Sequence, residues 1–163
     1  MPRNATAVAA RTRRGAFSMI ELVIVIVIIG IIAAIAIPRM SKGSAAAADS
    51  AVKQNLGVLR SAVDLYHTEH NGTYPTAANI VAQLTQFTDV DGNVSATKTG
   101  VFTYGPYLRS VPTLSVGTRK GQSGIAAADA ATVGWIYDVT TGNVSANAIG
   151  VTTDNSGALY SSY

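Results

Sequence analysis

The chain has 163 residues, 48% of them hydrophobic and only 13% charged, with a formal net charge of +3 and no cysteine. That length accommodates one domain and an appendage, and the lack of cysteine excludes both a disulfide framework and a thiolate metal site. The basic balance does not announce a nucleic-acid partner: Arg3, Arg11, Arg13 and Arg14 all precede a long apolar run, and without them the chain is net −1.

The apolar run is the first element. From Leu22 to Ile37 it carries no charge. Counted from Phe17 as a helix it rises roughly 31 Å, enough to cross a hydrocarbon core of about 30 Å. The preceding arginines hold the N-terminus in the cytoplasm and send the remainder outward, with Arg39 and Lys42 reducing the asymmetry. Three fates fit such a run. A removable secretory signal would use Ala34-Ile35-Ala36 as its cleavage pattern, but the run is long for one and Glu21 sits badly in it. A plain membrane anchor leaves Glu21 without a reason, because a carboxylate in hydrocarbon is costly and ordinarily functional.

The third fate is a resemblance. Phe17-Ser18-Met19-Ile20-Glu21-Leu22, followed by Gly30 and Pro38, resembles the N-terminal signature of type IV pilins and of the pseudopilins of type II secretion. The resemblance implies that a prepilin peptidase cuts on the cytoplasmic side just before the apolar segment and methylates the new N-terminus. Phe17 would be the first mature residue, with Glu21 and Pro38 in the family's register. The family usually has glycine immediately before the cut, whereas here Ala16 holds that place and Gly15 lies one further back. Cutting after Gly15 would move Glu21 out of register, so cleavage is expected between Ala16 and Phe17, with N-methylation of Phe17.

Cleavage creates an α-amino group with a reference pKa near 8, at the depth of a neighbouring chain's Glu21. Pairing the two favours one axial stagger, since a misregistered helix buries both charges unpaired. Glu21 is then an assembly key, with Gly30 and Pro38 as further assembly positions; a glutamate that merely snorkels to the interface is the plain alternative. The implied division is a leader over 1–16, a transmembrane assembly helix over 17–38, an amphipathic continuation over 39–70 and a globular head over 71–163.

In the continuation, Val52, Leu56, Leu59, Val63 and Tyr66 recur at spacings of four and three and make one helical face, opposite Lys53, Asn55 and Arg60. The spacing predicts one helix over 17–70, kinked or locally melted at Pro38 and stopped by Asn71-Gly72 and Pro75. Thr76 is placed to cap a short helix with Ile80, Val81, Leu84 and Phe87 on one side, and Asp91-Gly92 marks a turn. Strands are predicted over 100–104, 133–139 and 144–149, the last two joined as a hairpin through Thr140-Thr141-Gly142-Asn143. Residues 110–131 read as a long irregular stretch, and 152–163 as a segment that either packs on the head's edge or frays. The expected fold is therefore α+β: a long N-terminal helix, its first half transmembrane, packed on a small antiparallel sheet. Gly72-Thr73-Tyr74-Pro75, Gly105-Pro106-Tyr107-Leu108 with Pro112, and Gly134-Trp135-Ile136-Tyr137 are similar to the head of major pseudopilins. The lack of cysteine points the same way, since many pilus-forming relatives staple a C-terminal loop with a disulfide.

Other constellations are weaker. His67, Glu69 and His70 lack a third ligand nearby, and Asp89-Val90-Asp91-Gly92-Asn93 begins like a calcium loop without its closing glutamate. Some major pseudopilins bind calcium through a later head loop that has no clear match here, so no cofactor is expected, with calcium in the head as the minor alternative. Arg119-Lys120 reads as a solvated loop, and Trp135 with Tyr137 as sheet packing. The acceptor patterns at Asn71, Asn93 and Asn143 read as chance. No nucleophile–base pair, carboxylate pair or phosphate loop is present, so the chain is not expected to be an enzyme. The resemblance implies a subunit that waits in the inner membrane, single-pass with its head outside, and then enters a periplasmic or cell-surface filament. Its partners would be further copies, minor pilins or pseudopilins, the prepilin peptidase, an inner-membrane assembly platform and lipid. A type II secretion pseudopilus is the first reading, and a type IV pilus for adhesion, motility or DNA uptake its rival. An exported binding module with a cleaved signal is the distant third.

Overall fold

The computed structural model describes residues 17–163. They fall into two compact units divided between Met40 and Ser41. Helix α1, Met19–Glu69, contributes to both. Its first part is built from aliphatic residues and its middle from alanines, which lose little or no side-chain entropy in a helix. The helical assignment runs through position 38 without a break, so Pro38 does not melt the helix; a fixed φ near −65° is itself compatible with helical backbone.

Within the second unit, α1 buries the face read from its spacing. Val52, Leu56, Leu59, Val63 and Tyr66 are all within 2% of complete burial. They pack with Ile80, Leu84, Leu114, Trp135, Tyr137 and Val144 into one core, each large aliphatic side chain contributing roughly 1.5–3 kcal/mol of transfer free energy. The helix stops where expected. Asn71 and Gly72 take φ of +54° and +76°, and the Gly72 amide donates to the His67 carbonyl at 2.9 Å, which satisfies an orphan carbonyl of the last turn.

The short second helix, α2, spans Ile80–Thr85 and starts later than its predicted cap. Thr76 does not cap it; the Thr76 amide donates to Gln83 Oε1 at 2.8 Å, while Gln83 Nε2 donates to the Gly92 carbonyl at 2.9 Å. Ile80 and Leu84 enter the core, but Val81 remains 40% exposed and Phe87 leaves the helix altogether. Phe87–Thr88 is strand β1, paired antiparallel with β2, Val94–Ser95, around the Asp89–Gly92 turn. The predicted strand over 100–104 reduces to a single bridge between Tyr104 and Thr88, because β1 is only two residues long and offers little edge to pair with.

A second sheet has the order β3-β4-β5, from Gly124–Ala126, Val133–Tyr137 and Val144–Ala146. Strands β4 and β5 form the antiparallel hairpin that their turn residues indicate, with Trp135 opposite Ala146 and Tyr137 opposite Val144. Strand β3 lies inside the stretch read as irregular and pairs parallel with β4. The head is thus a small antiparallel sheet plus a mixed one, rather than antiparallel throughout. A three-residue Gly-Ile-Ala strand has too little alternation to register as a pattern.

The C-terminal segment packs. A 3-10 turn at Tyr160–Ser162 places Tyr160 at 3% exposure. The Tyr160 hydroxyl donates to Asp49 of α1, and the Asn155 amide to the same carboxylate at 3.1 Å. Lys53 lies 3.5 Å from Asp154 and 4.3 Å over the Tyr163 ring. Arg60 forks its guanidinium onto the Val144 carbonyl at 3.0 and 2.8 Å and also reaches the Tyr163 carbonyl. So the polar edge of α1 holds the tail, while its apolar face holds the sheet.

Candidate assembly site on the apolar helix

The start of α1 is organised by Ser18 and Glu21. The Ile20 amide donates to Ser18 Oγ at 3.3 Å, and the Ser18 amide donates to Glu21 Oε2 at 2.9 Å. This is a capping box, in which the cap residue and the acid three positions on satisfy each other's end of the helix. The amides of Glu21 and Leu22 donate to the Ser18 carbonyl at 3.1 and 3.3 Å. The negative side chain also sits at the positive end of the helix dipole. Reading Glu21 only as a charge in a span overlooked this role, although Ser18-x-x-Glu21 was visible as a cap signal. Among the described residues Glu21 is engaged through Oε2 alone.

Phe17 precedes the cap and is 81% exposed. Every large apolar side chain from Leu22 to Ile37 is exposed, on all sides of the helix. Gly30 lies within this belt with nothing within 4 Å of a Cβ placed on it. A helix apolar all round is stable only when lipid or protein covers it. Among the described residues, α1 is the helix long and apolar enough to cross a membrane. Pro38 lies one position beyond the belt, while Gly15 and Ala16 lie outside the described residues.

The head's chemical candidates are occupied elsewhere. His67 stacks on Tyr74 at 4.1 Å, and Glu69 accepts the Tyr107 hydroxyl at 2.6 Å. His70 is buried against Tyr66 at 3.7 Å, with Nδ1 2.8 Å from the Tyr66 carbonyl and Nε2 3.0 Å from the Thr88 hydroxyl. Asp89 accepts from the amides of Asp91 and Asn93 and from Asn93 Nδ2, which holds its carboxyl below the ordinary carboxylate value. Among the described residues, no three His, Asp or Glu side chains converge as a metal cluster would. Arg119 is paired with Asp129 through two bonds of 2.8 and 2.7 Å. The head motifs hold one another: the Tyr137 hydroxyl donates to the Pro75 carbonyl at 2.9 Å, Trp135 Nε1 to Pro112 at 2.8 Å, and the amides of Tyr107 and Leu108 to Leu84.

Residues 11–37 match the family described as the prokaryotic N-terminal methylation motif. The chain carries the type IV pilin and pseudopilin signature. No curated protein and no solved structure matches the chain. The motif covers the basic leader end and the apolar belt, and it leaves the head outside. A prepilin-like apolar helix points to membrane association, and the motif implies assembly into filaments with other pilins and processing by a prepilin peptidase.

Proposed function

We propose that the chain is a structural subunit of a type II secretion pseudopilus or a closely related type IV-like filament. Prepilin peptidase cuts between Ala16 and Phe17 and methylates the Phe17 amine. The subunit then waits in the inner membrane as a single-pass protein, N-terminus in the cytoplasm and head outside. Assembly replaces lipid around the belt with the helices of neighbours. The observation that carries this reading is the belt itself: an all-round apolar surface over 17–37 whose single charge, Glu21, is held in the first turn with one oxygen engaged by its own chain. That oxygen keeps the carboxylate oriented, and in the proposed filament the other accepts from the methylated amine of a neighbouring Phe17. A charge left unpaired in that setting costs several kcal/mol, so the pair selects one stagger. The order of the Gly-x-Tyr-Pro, Gly-Pro-Tyr-Leu and Gly-Trp-Ile-Tyr segments supports the secretion branch.

Mass spectrometry of the mature N-terminus tests the processing step. N-methyl-Phe17 is expected; a start at Ala16 would overturn the register, and a start at Ile37 or an intact Met1 would overturn the filament reading. Glu21→Leu should insert normally yet lower filament yield at least tenfold, and normal yield in that variant would sink the pairing. Deleting the gene should abolish protein secretion while sparing adhesion, motility and DNA uptake; the opposite pattern would assign a pilus.

A further inference from the structure

Two cations follow the far end of the apolar belt. Arg39 and Lys42 come two and five residues after Ile37, and both are exposed. They run against the orientation rule, which favours lysine and arginine on the cytoplasmic side. Their own chain offers them little to pair with. No acid stands between Glu21 and Asp49, and Asp49 is committed to the tail, where it accepts from the Tyr160 hydroxyl and the Asn155 amide. Among the described residues, the side chains that meet carboxylates as ion pairs are Lys53 and Arg119.

Depth decides what can balance the two charges. A helix over residues 17–37 fills a hydrocarbon core, and the headgroup layer adds roughly 5–7 Å on each side. Along the chain Arg39 lies about 3 Å and Lys42 about 8 Å beyond Ile37, so their long side chains end in that layer. The anion the layer offers at high density is the phosphate of phospholipids. A guanidinium takes phosphate through two parallel N–H donors, and an ammonium takes it as a point charge. Beside Lys42 there is room for a headgroup, since a Cβ placed on Gly43 would meet nothing within 4 Å.

We infer that Arg39 and Lys42 each bind the phosphate of anionic phospholipid in the outer headgroup layer, and that they thereby fix how far the belt sits in the bilayer. The belt cannot do this alone. Its large side chains from Leu22 to Ile37 are apolar and exposed throughout, and such a cylinder shifts along the membrane normal at modest cost, whereas a cation drawn into hydrocarbon resists strongly. Glu21 limits the shift at one end of the belt, and the two cations limit it at the other. The inference rests on the membrane-resident stage of the proposed function and adds the lipid class met there.

The test uses the full chain in detergent micelles, with Arg3, Arg11, Arg13 and Arg14 replaced by glutamine so that the leader contributes no phosphate contact. Native mass spectrometry counts the lipid retained as phosphatidylglycerol, phosphatidylcholine or inorganic phosphate is titrated in. Phosphatidylglycerol should be retained in preference to phosphatidylcholine. Arg39→Gln and Lys42→Gln should each weaken that retention about fivefold, and together roughly thirtyfold, while Lys98→Gln, at an exposed position in the head, should leave it unchanged. Undiminished retention in the double variant would overturn the inference, as would equal retention of the two lipids or an equal loss in Lys98→Gln. Inorganic phosphate that displaces the lipid at equal concentration would assign a small-anion site and overturn it too. A second arm separates this from the membrane reading. Parent and double variant should both resist alkaline extraction from phosphatidylcholine vesicles, because the belt holds them there. Release of the parent would sink the membrane-resident stage, and the micelle titration would still decide the lipid contact.

Discussion

The two halves of α1 are patterned differently and meet opposite fates. Between Val52 and Tyr66 the large side chains that follow a three-and-four spacing are almost completely buried, whereas between Leu22 and Ile37 every large side chain is exposed. The difference is periodicity: a stripe can be satisfied by one sheet and a few loops, but a cylinder needs neighbours on all sides. The head half is self-sufficient within its own chain. The belt has no such cover among the described residues, and Glu21 is its one charge.

Substitution on the stripe and on the cylinder should therefore read out differently. Leu59→Ala removes a fully buried side chain from the core and should cost about 3 kcal/mol, as large-to-small core changes do. Ile28→Ala removes a comparable side chain from the belt and should leave the head's unfolding midpoint unchanged. Chemical denaturation of the full chain in detergent, followed through Trp135, compares the two; equal losses would mean the belt is part of the head's cooperative unit. Gly142→Ala comes next. Gly142 takes φ of +72°, and an added Cβ would lie 2.2 Å from the Tyr74 ring, which stacks on His67 at the end of α1. Left-handed strain and the clash together should cost roughly 1–3 kcal/mol, and Tyr74→Ala in the same chain should recover part of it.

Much of this contrast was legible in the residues. The buried stripe, the Asn71-Gly72 stop and the β4–β5 hairpin all follow from local rules: apolar spacing, left-handed stop residues and turn composition. What escaped was set by non-local contacts. Strand β3 exists because Gly124 and Gly134 allow close backbone approach, a Cβ on either meeting a carbonyl oxygen within 2.5 Å, and no local pattern announces that. Thr76 looked like a cap, but the Gln83 side chain took its amide. At the start of α1, the spacing of Phe17, Glu21 and Pro38 is plain in the sequence, while the Ser18–Glu21 box depends on where the helix begins, which an apolar run without a break does not mark.

Acid and alkali should act on the head more weakly than core substitution. Asp89, Asp129, Asp138 and Asp154 are all held below the ordinary carboxylate value by hydrogen bonds; Arg119, then Asn147, draws Asp129 down to about 2. A group with a lowered folded pKa stabilises the fold above its unfolded value of 3.8 and loses that contribution as the pH falls through the folded one. Stability should thus decline on acidification from about pH 4 to about 2, and Arg119→Ala should flatten that decline. Burial pushes the Tyr137 hydroxyl up to about 12, so its contribution is present below pH 10 and lost as the pH rises through 12. Circular dichroism of the full chain against pH checks both limbs; a decline already complete at neutral pH would contradict them.

The smallest expected effect is the most discriminating for Glu21. Ser18→Ala removes the hydroxyl that accepts the Ile20 amide but keeps the backbone amide that donates to Glu21 Oε2. Losing an N-cap costs about 1 kcal/mol, which should appear as about fivefold faster hydrogen exchange at Met19 to Leu22, with the head's midpoint unmoved. Glu21→Leu removes the carboxylate and both of its uses. If Glu21 serves chiefly to begin the helix, Ser18→Ala should lower filament yield nearly as far as Glu21→Leu. If it serves to pair a neighbour's amine, Ser18→Ala should leave yield close to normal, and Glu21→Gln, which keeps an acceptor for Ser18 but not the charge, should fail with Glu21→Leu. Pairing predicts that second pattern, because a neutral amide can orient a helix start but cannot neutralise a buried ammonium.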